Sequence, residues 1–149
     1  MKIVKYQKKY EIDFKTMSLA WIEKYFKVEE EDIRTLENLE DLIDKGGMIF
    51  FAVENEKVMS ACMIRPIKEH IWEIGKLVTK DHYQGKGIGS QIFKSCINYA
   101  EDHYARKIIL YSHTSLQPAI AIYKKFGFKE VPVSATEYSR SNYQAELEL

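Results

Sequence analysis

The sequence predicts an α/β (α+β) fold: one domain whose central mixed β-sheet carries helices on both faces. Three observations predict it. Apolar runs of strand length alternate with helical patterns along the chain. Three such runs, 48–53, 58–67 and 71–79, follow one another across short polar turns, as in an antiparallel meander. After them the order becomes helix, strand, helix, strand. With 149 residues, 46% of them hydrophobic, and only 7 Gly and 3 Pro, the chain is long enough for one core joined by short connections. No repeat or linker interrupts it, so 1–149 is read as a single domain.

The elements are justified in order. Residues 2–6 alternate apolar and charged side chains and read as a first strand. From Asp13, the spacing of Phe14, Met17, Trp21 and Tyr25 predicts an amphipathic helix. A second helix follows Glu29-Glu30-Glu31-Asp32, with Ile33, Leu36, Leu39 and Leu42/Ile43 as its apolar face. The acids suit the positive end of the helix dipole and are expected to be solvated there. Gly46-Gly47 ends this region, and the continuous apolar run 48–53 reads as a strand buried on both faces. Glu54-Asn55-Glu56-Lys57 and Glu69-His70 are the meander's turns. A helix with Ile88, Ile92, Cys96 and Tyr99/Ala100 on one face comes next, then a strand at 107–111. Pro118 sits in the first turn of a last helix, which Gly127 ends, and 145–149 is a closing strand.

Charge excludes some partners. Lys+Arg and Asp+Glu are equal at 22 each, so a phosphate-backbone partner is not expected and no nucleic acid is assigned. No apolar run reaches transmembrane length and no secretory signal is visible, so neither membrane nor export is expected. Cys62 and Cys96 lie in apolar surroundings and read as buried thiols of a cytoplasmic protein. Cys and His do not cluster at metal-ligand spacing, and no metal is assigned.

The most informative stretch is Gln84-Gly85-Lys86-Gly87-Ile88-Gly89-Ser90, where a strand hands over to a helix. Alternating glycines let a backbone approach a ligand closely and turn its N–H groups toward it, and a helix N-terminus adds partial positive charge. These are the parts of a phosphate or pyrophosphate cradle. A P-loop fails, because Lys86 is followed by Gly87. A dinucleotide fingerprint fails, because Ser90 stands at the third glycine and Tyr111-Ser112-His113 offers no acid for a ribose. The pattern Gln-x-x-Gly-x-Gly is met by Gln84, Gly87 and Gly89. A tight turn without a ligand is the bland alternative.

Two motifs carry a resemblance. The first is Gln84-Gly85-Lys86-Gly87-Ile88-Gly89, preceded by Glu73-Ile74-Gly75-Lys76-Leu77-Val78-Thr79. The second is Pro118-Ala119-Ile120-Ala121-Ile122-Tyr123-Lys124-Lys125-Phe126-Gly127-Phe128. In order and spacing both resemble the GNAT superfamily of N-acetyltransferases, over roughly 73–128. Residues 21–47 resemble a bacterial subset that points to no substrate.

The resemblance implies a single GNAT-type domain that transfers the acetyl group of acetyl-CoA, its co-substrate, to a primary amine by direct attack. It places Gln84, Gly85, Lys86, Gly87, Ile88, Gly89 and Ser90 on the pyrophosphate. It places Leu77, Val78 and Thr79 along the pantetheine like an added strand, and Tyr123 as general acid toward the sulfur. A tyrosine keeps its proton at neutral pH, as that role requires. Leu116 departs from the Asn common seven residues before the tyrosine, and Gln117 or Ser115 is a candidate substitute.

Glu73, flanked by Trp72 and Ile74, is the candidate base, since burial would raise its pKa toward neutrality; water is the alternative, and so is an ion-paired or strand-edge glutamate without catalytic function. His70 and His82 read as solvated turn residues, and His113 as a weaker cleft-side candidate. Gly75 inside an apolar strand marks a bulge that would open the cofactor slot, or is a packing glycine. The acceptor is a small-molecule amine or a peptide amine. Acids before Gly46, such as Glu23, point to cationic amines. A homodimer stays open. The second reading is a non-catalytic acyl-CoA-binding sensor or interaction module, favoured by Leu116.

Overall fold

The computed structural model describes residues 1–134 and 138–149. Seven strands form one sheet in the order β1-β2-β3-β4-β5-β7-β6. They are β1 (Lys2–Lys5), β2 (Met48–Glu54), β3 (Lys57–Lys68), β4 (Ile71–Thr79), β5 (Lys107–Ser112), β6 (Lys129–Val131) and β7 (Tyr143–Glu148). Only β4 and β5 run parallel; every other neighbouring pair is antiparallel. The helices are α1 (Glu11–Tyr25), α2 (Glu30–Leu36), α3 (Leu39–Asp44), α4 (Ile88–Asp102) and α5 (Gln117–Lys125). Among the described residues no helix is long and apolar enough to cross a membrane.

The apolar run in β2 is buried on both faces, and its alternation sorts two cores. Phe50 and Ala52 pack with α4 and α5 residues such as Ile92, Phe93 and Tyr123. Ile49, Phe51 and Val53 pack with Phe14, Met17, Leu36, Leu39 and Leu42 of α1, α2 and α3. Period-2 alternation puts successive side chains on opposite faces, so a strand flanked by two helical layers needs apolar residues throughout. The β2–β3 turn places Asn55 and Glu56 at φ 51° and 64°. Two consecutive left-handed residues make the tight turn whose twist matches a hairpin.

Three expectations are corrected. The single helix expected after Glu29 is two, α2 and α3, broken at Glu37 and Asn38. Helix α2 turns Asp32, Thr35 and Leu36 inward and leaves Ile33 46% exposed, while Leu39 and Leu42 of α3 stay buried. The acids at the start of α2 are not a solvated entrance, because Glu31 and Asp32 are buried. The closing strand begins at Tyr143, and short β6, not foreseen, pairs with it along the sheet edge.

Candidate active site

The site begins where the sheet comes apart. β4 pairs with β5 only at Ile71↔Lys107, Trp72↔Ile108 and Glu73↔Ile109. Beyond Glu73, β4 remains bonded to β3 as far as Thr79, and β5 remains bonded to β7 as far as Ser112. The cause is a bulge in β4. Met63 opposes Gly75 and Ala61 opposes Val78, so two residues of β4 face Cys62 alone, and Lys76 takes φ 55°. An extra residue bends and twists a strand. The left-handed residue is thus Lys76 rather than Gly75, where an added Cβ would meet Met63 Cε at an ordinary 3.6 Å.

The resulting cleft is lined by Gly75, Leu77 and Val78 on the β4 side and by Tyr111, Ser112 and His113 on the β5 side. Thr79 lies just past it, its hydroxyl 2.8 Å from that of Ser60, which also donates to Val78 O at 2.9 Å. The β4 edge facing the cleft has no strand partner past Glu73. Its backbone groups can take an extended amide-bearing ligand as a further strand would.

The glycine loop lies at the same end of β4. Gly85 and Gly87 have φ 76° and 80°, and a Cβ added at either would meet no protein atom within 4 Å. The left-handed backbone explains glycine at both, and the open space above them is where a ligand would lie. Gly87 is the N-cap of α4, and the first bond into the helix is Gln91 N–H to Gly87 O at 3.2 Å. The amides of Ile88, Gly89 and Ser90 therefore have no partner inside the helix, as at any helix start. They converge on a site suited to phosphate oxygens. Gly89 approaches the strand end, where a Cβ would lie 3.4 Å from Thr79 Oγ1. Lys86 is exposed at the loop tip. Gln84, exposed like Lys86, braces the loop: its amide donates to Thr79 O at 3.0 Å and Asp81 Oδ1 at 3.3 Å.

Tyr123, from the first core, lines the cleft. Burial pushes its hydroxyl up to about 12, against a smaller opposing effect of the Ser112 hydroxyl, so it stays protonated at any physiological pH. Leu116 also lines the cleft. Its candidate substitutes are engaged locally, Gln117 with Thr114 O and Ser115 with His113 Nδ1.

Glu73 is the last β4 residue paired with β5 and is 7% exposed. Arg65 holds it from β3, with Nε at 3.0 Å and Nη2 at 2.9 Å, both on Oε1. Among the described residues Oε2 accepts no hydrogen bond, and Glu73 lines the cleft. His70 and His82 lie outside the cleft; His113 lines it, edge-on to Phe26 at 5.3 Å. Glu23 is exposed and does not line it.

A charged network unforeseen in the sequence lies against the cleft, which Lys76 and Arg140 line. Asp32, 0% exposed, accepts from Arg140 Nη1 at 2.7 Å and Nη2 at 2.8 Å, from the Glu29 amide at 2.9 Å, and from Lys76 Nζ. Burial opposes its charge, but Arg140 and Lys76 outweigh that and hold its carboxyl at about 2. Glu29 accepts from the Ser139 amide and hydroxyl at 2.8 and 2.9 Å and from Arg140 Nη1 at 3.2 Å. Lys76 and Arg140 each stack on Tyr138 at 4.8 Å from the ring centroid. A lysine inside the apolar run Ile74-Gly75-Lys76-Leu77-Val78 was the available signal, since a charge there demands a buried partner.

Comparison with known proteins agrees with this geometry. A mycothiol acetyltransferase of Corynebacterium glutamicum is 27% identical over 84 residues, 56% of this chain and 29% of the relative. The chain thus spans less than a third of that curated relative. A GNAT-family acetyltransferase of Staphylococcus aureus Mu50 superposes with TM-score 0.89 at 18% identity, covering 99% of this chain and 98% of the other. The PaiA N-acetyltransferase of Thermoplasma acidophilum, solved in complex with coenzyme A, superposes with TM-score 0.76 at 17% identity over 100% of both chains. The model of the acetyltransferase (GNAT) family matches residues 13–128, a span that takes in most of α1, the split between β4 and β5, the glycine loop and Tyr123. The chain belongs to that family.

Proposed function

We propose that the chain, read as one domain over 1–149, is an N-acetyltransferase that uses acetyl-CoA to acetylate a primary amine by direct attack. The observation that carries this reading is the opening of β4 from β5 directly beside the glycine loop, with Glu73 and Tyr123 on its walls. Family membership and the coenzyme A complex of a structural neighbour support it.

The loop 84–90 offers main-chain donors for a pyrophosphate, and the unpaired edge of β4, including Leu77, Val78 and Thr79, offers the pairing groups for a pantetheine arm. Acetyl-CoA supplies an activated acyl carbon and a thiolate leaving group. Glu73, directly or through water, accepts the proton that the attacking nitrogen loses as its bond to the acyl carbon forms; Arg65 fixes one carboxylate oxygen and leaves the other for that proton. Tyr123 gives its proton to the sulfur as the carbon–sulfur bond breaks.

The test is a thiol-release assay with acetyl-CoA across a panel of primary amines. Amine-dependent release, with acetylated product identified by mass, supports the reading. Tight CoA binding without release for any amine favours a non-catalytic acyl-CoA sensor.

A further inference from the structure

The cleft wall holds a polar group that nothing yet uses. Ser18, on α1, is 2% exposed, and its hydroxyl has no hydrogen-bond partner among the described residues. Ser18 lines the cleft together with Trp21 and Phe26 of the same helical region. A buried hydroxyl without a partner is costly, and one beside a cavity is satisfied when the cavity fills.

The charges around it have an order. Of the charged network, the residues lining the cleft are Glu73, Lys76 and Arg140. Their counter-charges lie behind the wall: Arg65 behind Glu73, and Asp32 and Glu29 behind Lys76 and Arg140. A bound molecule therefore meets a carboxylate near the split of the sheet and two cations further along, with Tyr138 against both of them. Lys76 and Arg140 reach the cleft while each is paired from behind, Lys76 with Asp32 and Arg140 with Asp32 and Glu29. Trp21, Phe26 and Leu116 add apolar surface to the same cleft.

We propose that the acceptor is an amine that also carries a carboxylate, an α-amino acid with an aromatic or branched aliphatic side chain. Its amino group lies toward Glu73, its carboxylate is held by Lys76 and Arg140, and the Ser18 hydroxyl supplies a further hydrogen bond. A ligand with only positive groups, such as a polyamine, would bring its far charge against the cations of Lys76 and Arg140 and is disfavoured. The inference rests on the N-acetyltransferase reading for what happens to the amine, but not for what binds.

Binding and turnover are therefore measured separately. Protein saturated with CoA is titrated calorimetrically with L-phenylalanine against 2-phenylethylamine, L-leucine against 3-methylbutylamine, and spermidine. The carboxylate-bearing member of each pair binds about tenfold tighter or more, as one well-placed charge-assisted contact allows. Lys76→Met, its folding checked by circular dichroism, removes most of that advantage, and Ser18→Ala weakens the amino acid more than the simple amine. Equal or tighter binding of the simple amines or spermidine to the unmodified protein overturns the inference, as does failure of both amino acids to bind. Thiol release separates the two readings. Turnover of simple amines at kcat/KM equal to their carboxylated partners overturns the inference and leaves acetyl transfer standing. Selective binding of amino acids without turnover of any amine supports the inference and overturns acetyl transfer.

Discussion

Lys76 Nζ donates to Asp32 Oδ1, so the left-handed residue of the β4 bulge is tied to the first turn of α2. The contact joins the feature that opens the sheet to a helix outside the cleft lining. Arg140 grips the same carboxylate from the segment before β7, so three distant parts of the chain share one buried anion.

Asp32→Asn leaves two mostly buried cations with a weakened partner. Unfolding stability falls by about 3 kcal/mol, the scale of a broken buried ion pair. The pH dependence gives a second signature. The Asp32 carboxyl is depressed from 3.8 to about 2, so its stabilisation is complete above its unfolded value and is lost as pH falls through the folded one. The shift corresponds to about 2 kcal/mol. Urea melts at several pH values should show the wild-type advantage over the variant shrinking between about pH 4 and pH 2.

Gly87→Val places a branched side chain in the open space above the loop at φ 80°. CoA affinity falls below detection in calorimetry, because the side chain occupies the volume through which a pyrophosphate would approach. The left-handed backbone also costs about 1–2 kcal/mol of stability, which thermal melts record separately. Unchanged affinity would remove the loop from the cofactor site.

Tyr123→Phe deletes a hydroxyl and keeps the ring against Phe93, 5.5 Å between centroids. If the hydroxyl protonates the departing sulfur, kcat drops by ~10²–10⁴-fold while CoA affinity stays level. Because burial raises this hydroxyl to about 12, the alkaline limb of the wild-type rate profile below pH 10 does not belong to it. Normal turnover with a lower melting temperature would make Tyr123 a core residue only.

Glu73→Gln keeps the shape and polarity of the side chain but cannot accept a proton. At pH 7, kcat/KM falls about tenfold or more, and the gap narrows at high pH as the free amine needs no base. Loss of the Arg65 ion pair also lowers stability, so rates are normalised to folded protein. Superimposable pH–rate curves for the two proteins would leave water or His113 as the proton acceptor.

The glycine loop of the candidate site was legible because its signals are local. Gly85, Gly87 and Gly89 stand within five residues, and their conformations follow from short-range sterics. The β2–β3–β4 meander and the two-sided burial of β2 were legible from periodicity. The charged network around Asp32 was not. A run of four acids reads as solvated surface, yet Asp32 is buried because its partners lie 44 and 108 residues away at Lys76 and Arg140. Sequence proximity carries no trace of such pairings. The break at Glu37 and Asn38 was hidden by apolar spacing that continues through it, and β6 is too short for a periodic signal.

The three residue pairs joining β4 to β5 have a mechanical consequence. Along the plane of the sheet the protein is two ribbons, β1 to β4 and β5 to β6, stitched at one end and torn at the other. Such a tear concentrates opening motion, since few backbone bonds resist it. A molecule lodged in it acts as a splint and shares load across both ribbons. Cofactor loading should therefore slow amide exchange in Lys107–Ser112 and in the far half of β4 more than in β2. At a hundred times its dissociation constant, it should raise unfolding stability by about 2.7 kcal/mol.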